Sequence, residues 1–347
     1  MGVVSPVSVS SSRVRALAAG VALGVLAGVA VPAAVLAHGG PNLPAPSPGT
    51  FLFDWGFDPL VWLPAIALAI AWWRAVAHVR RRHPKNPVPA KRSWFFYSGL
   101  AVLVVALDSG LAQYDTTLFS VHMVQHLLLT LVAPPLLALS APITLILRVA
   151  SPADRKRWIL PVLHSRALRA ISFPPVAWLI FAGVMWTSHF SPLFDVALEN
   201  EWVHRLEHGL YLGAAMLFWW PVCGVDPSPW RMKWPGRLLY LGLQMPQNTF
   251  LALAIYSATV PLYAHYATLT LPWLPSPLAD QQVAGGIMWL AGDLLFLLAI
   301  LLGVGAWMRA EDVATAREDK RLDAERAALG EREAILAARR AAERGSD

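Results

Sequence analysis

The chain has 347 residues, of which 56% are hydrophobic and only 14% charged, with a mean hydropathy of +0.49. Soluble globular chains carry roughly 25% charged residues, and here Arg309–Asp347 alone takes 9 Lys/Arg and 10 Asp/Glu, so the remaining body is too apolar to face water. The sole cysteine, Cys223, excludes an internal disulfide, a CxxC redox pair and a Cys-rich zinc site, and the +6 net charge forms no basic stripe interleaved with aromatics for nucleic acid.

Residues 1–37 combine Arg13 and Arg15, an apolar run from Ala16 to Val31, and Val35-Leu36-Ala37. A positive start, a short apolar middle and a small-residue end predict a cleavable signal peptide, with an uncleaved N-terminal hydrophobic helix as the alternative. Residues 38–59 read as an extracytoplasmic linker, and the four prolines of Pro41–Gly49 predict a non-helical chain there.

Seven stretches then approach the roughly 20 apolar residues that cross a bilayer. They are Leu60–Val79, Trp94–Leu111, His122–Leu147, Pro174–Phe190, Trp202–Val222, Leu238–Ala258 and Gln281–Met308. Pro134-Pro135 and Pro142 predict a kink or break in the third, because proline removes a backbone donor and crowds the preceding turn. Residues 309–347 read as a charged cytoplasmic tail; Leu322, Leu329 and Leu336 stand seven apart, but a solvated helix is the simpler expectation than a coiled coil. The predicted fold is an all-α membrane protein: a seven-transmembrane-helix bundle over 60–308, after the N-terminal signal or extra helix, with a helical tail.

Lys and Arg cluster after the first, third, fifth and seventh stretches, whereas 38–59, 112–121, 190–201 and 259–280 contain none. The positive-inside rule then puts the mature N-terminus outside and the tail in the cytoplasm. On that topology seven of ten histidines lie at the outer side. His122 and His126 open the third stretch at i, i+4, and His204 and His208 open the fifth at the same spacing, each pair on one helical face. Ionisable side chains in a bilayer are costly and mark sites, so these four are the candidate metal ligands. Met123, Met185, His189, His38 and His265 are additional candidates. Imidazole suits copper, zinc, iron and nickel, and a thioether favours Cu(I). The blander reading is interfacial histidines bonded to water, headgroups or a neighbouring helix. Asp108 and Asp293 are intramembrane acids, expected to form an ion path or to accept hydrogen bonds from the histidines. His204-x-x-Glu207-His208 also matches a zinc-hydrolase pattern with Glu207 as base, though no spacing fixes a third ligand; Glu207 is otherwise polar support, and no catalytic residue is assigned.

Four stretches carry a family resemblance: Phe57-Asp58-Pro59-Leu60, His122–Pro142 (HMVQHLLLTLVAPPLLALSAP), Glu201–Val222 (EWVHRLEHGLYLGAAMLFWWPV) and Asp280–Trp289 (DQQVAGGIMW). Over about residues 50–308 the chain resembles the polytopic CtaG family of cytochrome c oxidase assembly proteins. The resemblance implies a multi-pass protein of the bacterial plasma membrane that helps mature a haem-copper oxidase. It implies an oxidase subunit as partner, copper as a transient cargo, and a copper donor protein upstream. Carried over, the candidate positions are His122, His126, His204 and His208, with Asp280 and Gln281 at the start of the seventh stretch. The chain lacks the cysteine pair of the single-span copper chaperones that share the family's name. The competing expectations are a copper transporter and a haem-binding membrane cytochrome with axial histidines.

Overall fold

The computed structural model describes residues 43–344, with side chains up to Leu336 apart from that of Leu52. The expected signal or N-terminal helix at 1–37 and His38 lie outside the described residues. All regular structure among the described residues is helical, and the chain divides into two units at Leu297/Leu298.

Leu43–Ser47 is non-helical, as its prolines require, but helix α1 (Pro48–Phe53) begins inside the stretch expected to have no helix. Pro48 sits in the first turn, where no backbone donor is needed. Ser47 and Thr50 cap each other: Ser47 N donates to Thr50 Oγ1 at 3.1 Å and Thr50 N to Ser47 Oγ at 3.2 Å.

Helix α2 (Pro59–Arg82) is followed by α3 (Ala90–Asp108), which breaks at Ser109 and resumes as α4 (Gly110–Tyr114). The Asp108 carboxylate is consumed at the start of α2, accepting from Phe57 N at 2.9 Å, Asp58 N at 2.8 Å and Trp62 Nε1 at 2.6 Å. The third predicted stretch is α5 (Phe119–Leu127), a π-helical turn (Leu128–Val132), α6 (Ala133–Ser140) and α7 (Pro142–Val149). The expected distortion is therefore there, and its chemistry is visible. Pro134 brings no N–H to the carbonyl of Thr130 one turn back, and Trp219 Nε1 donates to that oxygen instead, at 2.9 Å. Ala141 between α6 and α7 takes the left-handed conformation, φ 59°, a strain of about 1 kcal/mol for a residue with a Cβ. Asp226 then caps α7 through Ile143 N and Thr144 N.

After short helical turns over 152–171 come α8 (Pro174–His189), the short α9 (Leu193–Glu199), α10 (Glu201–Cys223) and α11 (Trp234–Tyr256). After them come the short α12 (Ala264–Thr268) and α13 (Pro277–Arg344). Among the described residues four stretches are long and apolar enough to cross a membrane: Pro59–Arg82, Ala90–Tyr114, Phe119–Val149 and Pro277–Leu336. α8 and α9, bent by 69° at their junction, make a fifth if they count as one. α10 and α11 coincide with the fifth and sixth predicted stretches and have 23 residues each. At 1.5 Å per residue that is about 34 Å, enough for a roughly 30 Å hydrocarbon core. They are less apolar than the others because α10 carries Glu201, His204, Arg205, Glu207 and His208, and α11 carries Gln244, Gln247 and Asn248. On α10 three of those polar residues, His204, Glu207 and His208, also build the site.

α11 and α13 are stitched together where Asn248 Nδ2 donates to Met288 O at 3.0 Å and to Asp293 Oδ1 at 3.1 Å, and Thr249 Oγ1 to Asp293 Oδ2 at 2.6 Å. They also touch closely at Gly285, where a Cβ would lie 2.8 Å from Tyr256 N. In the second unit α13 continues with exposed side chains, including Leu322, Leu329 and Leu336, and with pairs such as Arg321–Glu325 at 2.9 Å. Such exposed pairs contribute little to stability.

Candidate metal centre

α5 and α10 lie side by side with their histidines facing each other. Within α5 the rings of His122 and His126 are 4.1 Å apart centroid to centroid, and within α10 those of His204 and His208 are 4.2 Å apart. Across the helices His122 stacks on His204 at 5.3 Å, 17° from parallel, and His126 meets His208 edge-on at 6.0 Å. All four are 9% exposed or less. His189, from the end of α8, joins this layer 6.1 Å from His126.

Two carboxylates complete it. Ligand atoms of His122, His204 and Glu207 all lie within 4.8 Å of one another, and so do those of Asp115, His204 and His208. His204 belongs to both sets. Glu207 shares a face of α10 with His204 and His208 because the three stand at i, i+3 and i+4. Asp115 follows α4 and reaches the layer only because the chain breaks at Ser109 and turns. That break frees the carbonyl of Ala106, which accepts from Gln125 Nε2 at 2.9 Å; the same nitrogen donates to Asp115 Oδ2 at 2.9 Å. Gln125 Oε1 lies 3.2 Å from His208 Nε2. One amide thus ties α3, Asp115, α5 and α10 into a single network, and neither Asp115 nor Gln125 was singled out by spacing.

Among the described residues, both ring nitrogens of His122 and of His126, Nε2 of His189, Oδ1 of Asp115 and both oxygens of Glu207 are buried with no hydrogen-bond partner. Each such orphan costs about 1–3 kcal/mol, and eight around one layer is far more than packing alone would leave. Unspent imidazole nitrogens beside unspent carboxylate oxygens form a donor set that a borderline metal cation satisfies. His189 is poised similarly: its Nδ1 donates to Met185 O at 2.7 Å, which leaves Nε2 with the lone pair.

The other predicted residues are placed elsewhere. His265 bonds through Nε2 to Thr116 O at 2.8 Å. The expected histidine partners of Asp108 and Asp293 are not found among the described residues; both carboxylates are consumed by the donors named above, because helix starts and buried amides need them more. Asp280 accepts from Phe119 N at 2.6 Å and Ser120 N at 3.3 Å and binds the Ser120 hydroxyl, so it caps α5 one turn before His122. Gln281 braces the loop after α11, accepting from Leu262 N at 2.7 Å and donating to Ile255 O at 3.2 Å. Tyr266, on α12, donates to Asp115 O at 2.6 Å. Burial first, then the carboxylates of Asp115 and Asp280, push its phenol above the ordinary range, so it remains a donor at neutral pH.

A capping carboxylate with three donors holds α5 in register. Asp280→Ala is therefore expected to destabilise the protein by about 1–3 kcal/mol, read as a lower thermal midpoint in detergent; an unchanged midpoint would show that α5 is held without it.

An open cavity of about 350 Å³ reaches the layer from one side. Its polar end is formed by Asp115, Gln125, His204 and His208, and its walls by apolar residues of α2 and α3. Arg205 lines it too, pairing with Asp58 at 2.7 Å and with Glu201, Nε to Oε1, at 3.0 Å.

The family model for the cytochrome c oxidase caa3 assembly factor (Caa3_CtaG) matches residues 70–310. The chain is 34% identical over 290 residues to the uncharacterized protein Mb0105 of Mycobacterium bovis, covering 81% of this chain and 44% of that protein. The uncharacterized protein ML1998 of Mycobacterium leprae is 32% identical over 280 residues, covering 79% and 42% respectively. The chain thus spans less than half the length of these relatives. No solved structure matches it.

Proposed function

The chain belongs to the family of cytochrome c oxidase caa3 assembly factors, and from that premise we propose that it serves oxidase maturation by holding copper at the histidine layer and passing it to an oxidase subunit. Copper is cargo in this reading, received from a donor protein. His122, His126, His204 and His208 supply nitrogen, and Glu207 and Asp115 supply the negative charge that offsets the cation. The seven predicted stretches all cross the plasma membrane, α10 and α11 turning apolar side chains such as Leu206, Leu210, Leu239 and Leu243 outward. The positive-inside pattern then puts the layer near the extracytoplasmic side, at the outer ends of α5 and α10.

The observation that carries this reading is the group of orphaned donors: eight buried nitrogen and oxygen atoms from His122, His126, His189, Asp115 and Glu207 that have no partner. A purely structural histidine layer would have been satisfied by its own neighbours. The open cavity beside His204 and His208 supplies a route in and out, which a chaperone needs and a closed structural site does not. The deciding experiment is titration of the purified full chain with copper, alongside the copper content of the oxidase in cells that lack the protein. Stoichiometric binding together with a copper-poor oxidase is the expected pair of results. No binding, or a fully copper-loaded oxidase, sinks the reading; a Soret band in the purified protein would favour the cytochrome.

Protons compete with copper for imidazole, whose ordinary pKa is about 6.5. Copper affinity is therefore expected to fall once the pH is low enough to charge the ligating imidazoles, and steeply, since more than one must stay neutral. Titrations stepped downward from pH 7 until binding is lost check it, and a loss spread over a single-proton dependence argues against more than one histidine ligand.

A further inference from the structure

We propose a second metal subsite on the far side of the histidine layer from the open cavity, built from thioethers and selective for a soft monovalent cation. It rests on the copper reading above for its cargo, though its residues are largely different. A small cavity of about 20 Å³ is lined by Met123 and His126 from α5, Met185 and His189 from α8, Gln244 from α11 and Met288 from α13. That volume holds about one water or one small ion.

Methionine is the residue that normally flows into such gaps. Here Met123, Met185 and Met288, each 7% exposed or less, surround a void and leave it open. The polar atoms on its walls point the same way. Among the described residues His126 has neither ring nitrogen bonded, and His189 Nε2 and Gln244 Oε1 also have no partner. His189 and Met185 stand at i, i+4 on α8, and the Nδ1 bond to Met185 O orients the imidazole with its free nitrogen available.

The donor set fixes the ligand class. Three neutral thioethers, two neutral imidazoles and one amide oxygen carry no charge to offset a divalent ion, and sulfur prefers Cu(I) over Zn(II) or Cu(II). The layer with Glu207 and Asp115 is the opposite, bearing two carboxyl groups and poor in sulfur. The two sets meet at His126, which belongs to both. A copper ion entering by the larger cavity would thus meet carboxylate and imidazole first and thioether last, and the small cavity holds copper that arrives already as Cu(I).

Silver(I), which shares the ligand preference of Cu(I) and has no accessible second oxidation state, tests this on the full chain in detergent. X-ray absorption at the silver edge is expected to find sulfur neighbours. In Met123→Leu/Met185→Leu/Met288→Leu, a change that roughly conserves volume, Ag(I) affinity is expected to fall by about a hundredfold or more while Cu(II) binding is unchanged. Silver bound by nitrogen and oxygen alone, or bound equally by the triple variant, overturns the subsite. If the triple variant does not fold, the wild-type absorption spectrum decides. Failure of Cu(II) to bind, with silver still bound by sulfur, would overturn the histidine-layer reading and leave the thioether subsite standing.

Discussion

Replacing His122 and His208 together by alanine is expected to abolish copper binding by the purified protein and to lower the copper content of the oxidase in cells. The two residues lie on different helices and in different carboxylate sets, His122 with Glu207 and His208 with Asp115. No single rearrangement of α5 or α10 restores both. Four-ligand sites of structural zinc yield about 10–16 kcal/mol, or around 3 kcal/mol per ligand. Losing two ligands should therefore weaken binding by about 10⁴-fold, which takes any affinity useful in a cell out of range. The single variants separate the two carboxylate sets. His208→Ala also strands Gln125 Oε1, 3.2 Å from the lost nitrogen, and so loosens the tie to Asp115. His122→Ala strands no side-chain partner, since the ring's polar interaction is with the Asp115 backbone. His208→Ala should accordingly lower the thermal midpoint of the metal-free protein more than His122→Ala. A double variant that binds copper like the wild type and supports a copper-replete oxidase would overturn the assignment.

Much of this site was legible because helical periodicity is local. His122/His126 and His204/His208 announce themselves by i, i+4 spacing at helix starts, and Pro134-Pro135 announces the distortion that the π-helical turn supplies. What spacing does not carry is the pairing of elements and the demand for backbone partners. Asp115 reaches the layer through a chain break at Ser109 and an amide bridge from Gln125, both tertiary events. Asp108 and Asp293 illustrate the reverse error. An acid among apolar residues looks like a partner for histidine, yet the unsatisfied amides at the start of α2 and the Asn248–Thr249 face of α11 claim those oxygens first. Glu207 is the intermediate case: its position on the histidine face is readable, whereas its role depends on no donor reaching it, which only packing decides.

Glu207 gives the sharpest separation of function from stability, because the two should move in opposite directions. It is 3% exposed, and among the described residues neither oxygen has a hydrogen-bond partner. Without metal, such a carboxyl is a liability of about 1–3 kcal/mol. Glu207→Leu removes both orphaned oxygens at similar volume, so the metal-free protein is expected to become more stable, with a higher thermal midpoint. Copper affinity should fall by about a hundredfold or more, because a charged ligand worth around 3 kcal/mol is lost. Glu207→Gln keeps the shape and removes only the charge, and should lose affinity without the full gain in stability. A structural carboxyl would behave otherwise: both substitutions would lower the midpoint and leave copper binding alone. Measuring midpoint and affinity on the same preparations therefore distinguishes a ligand that the fold tolerates from a group that the fold requires.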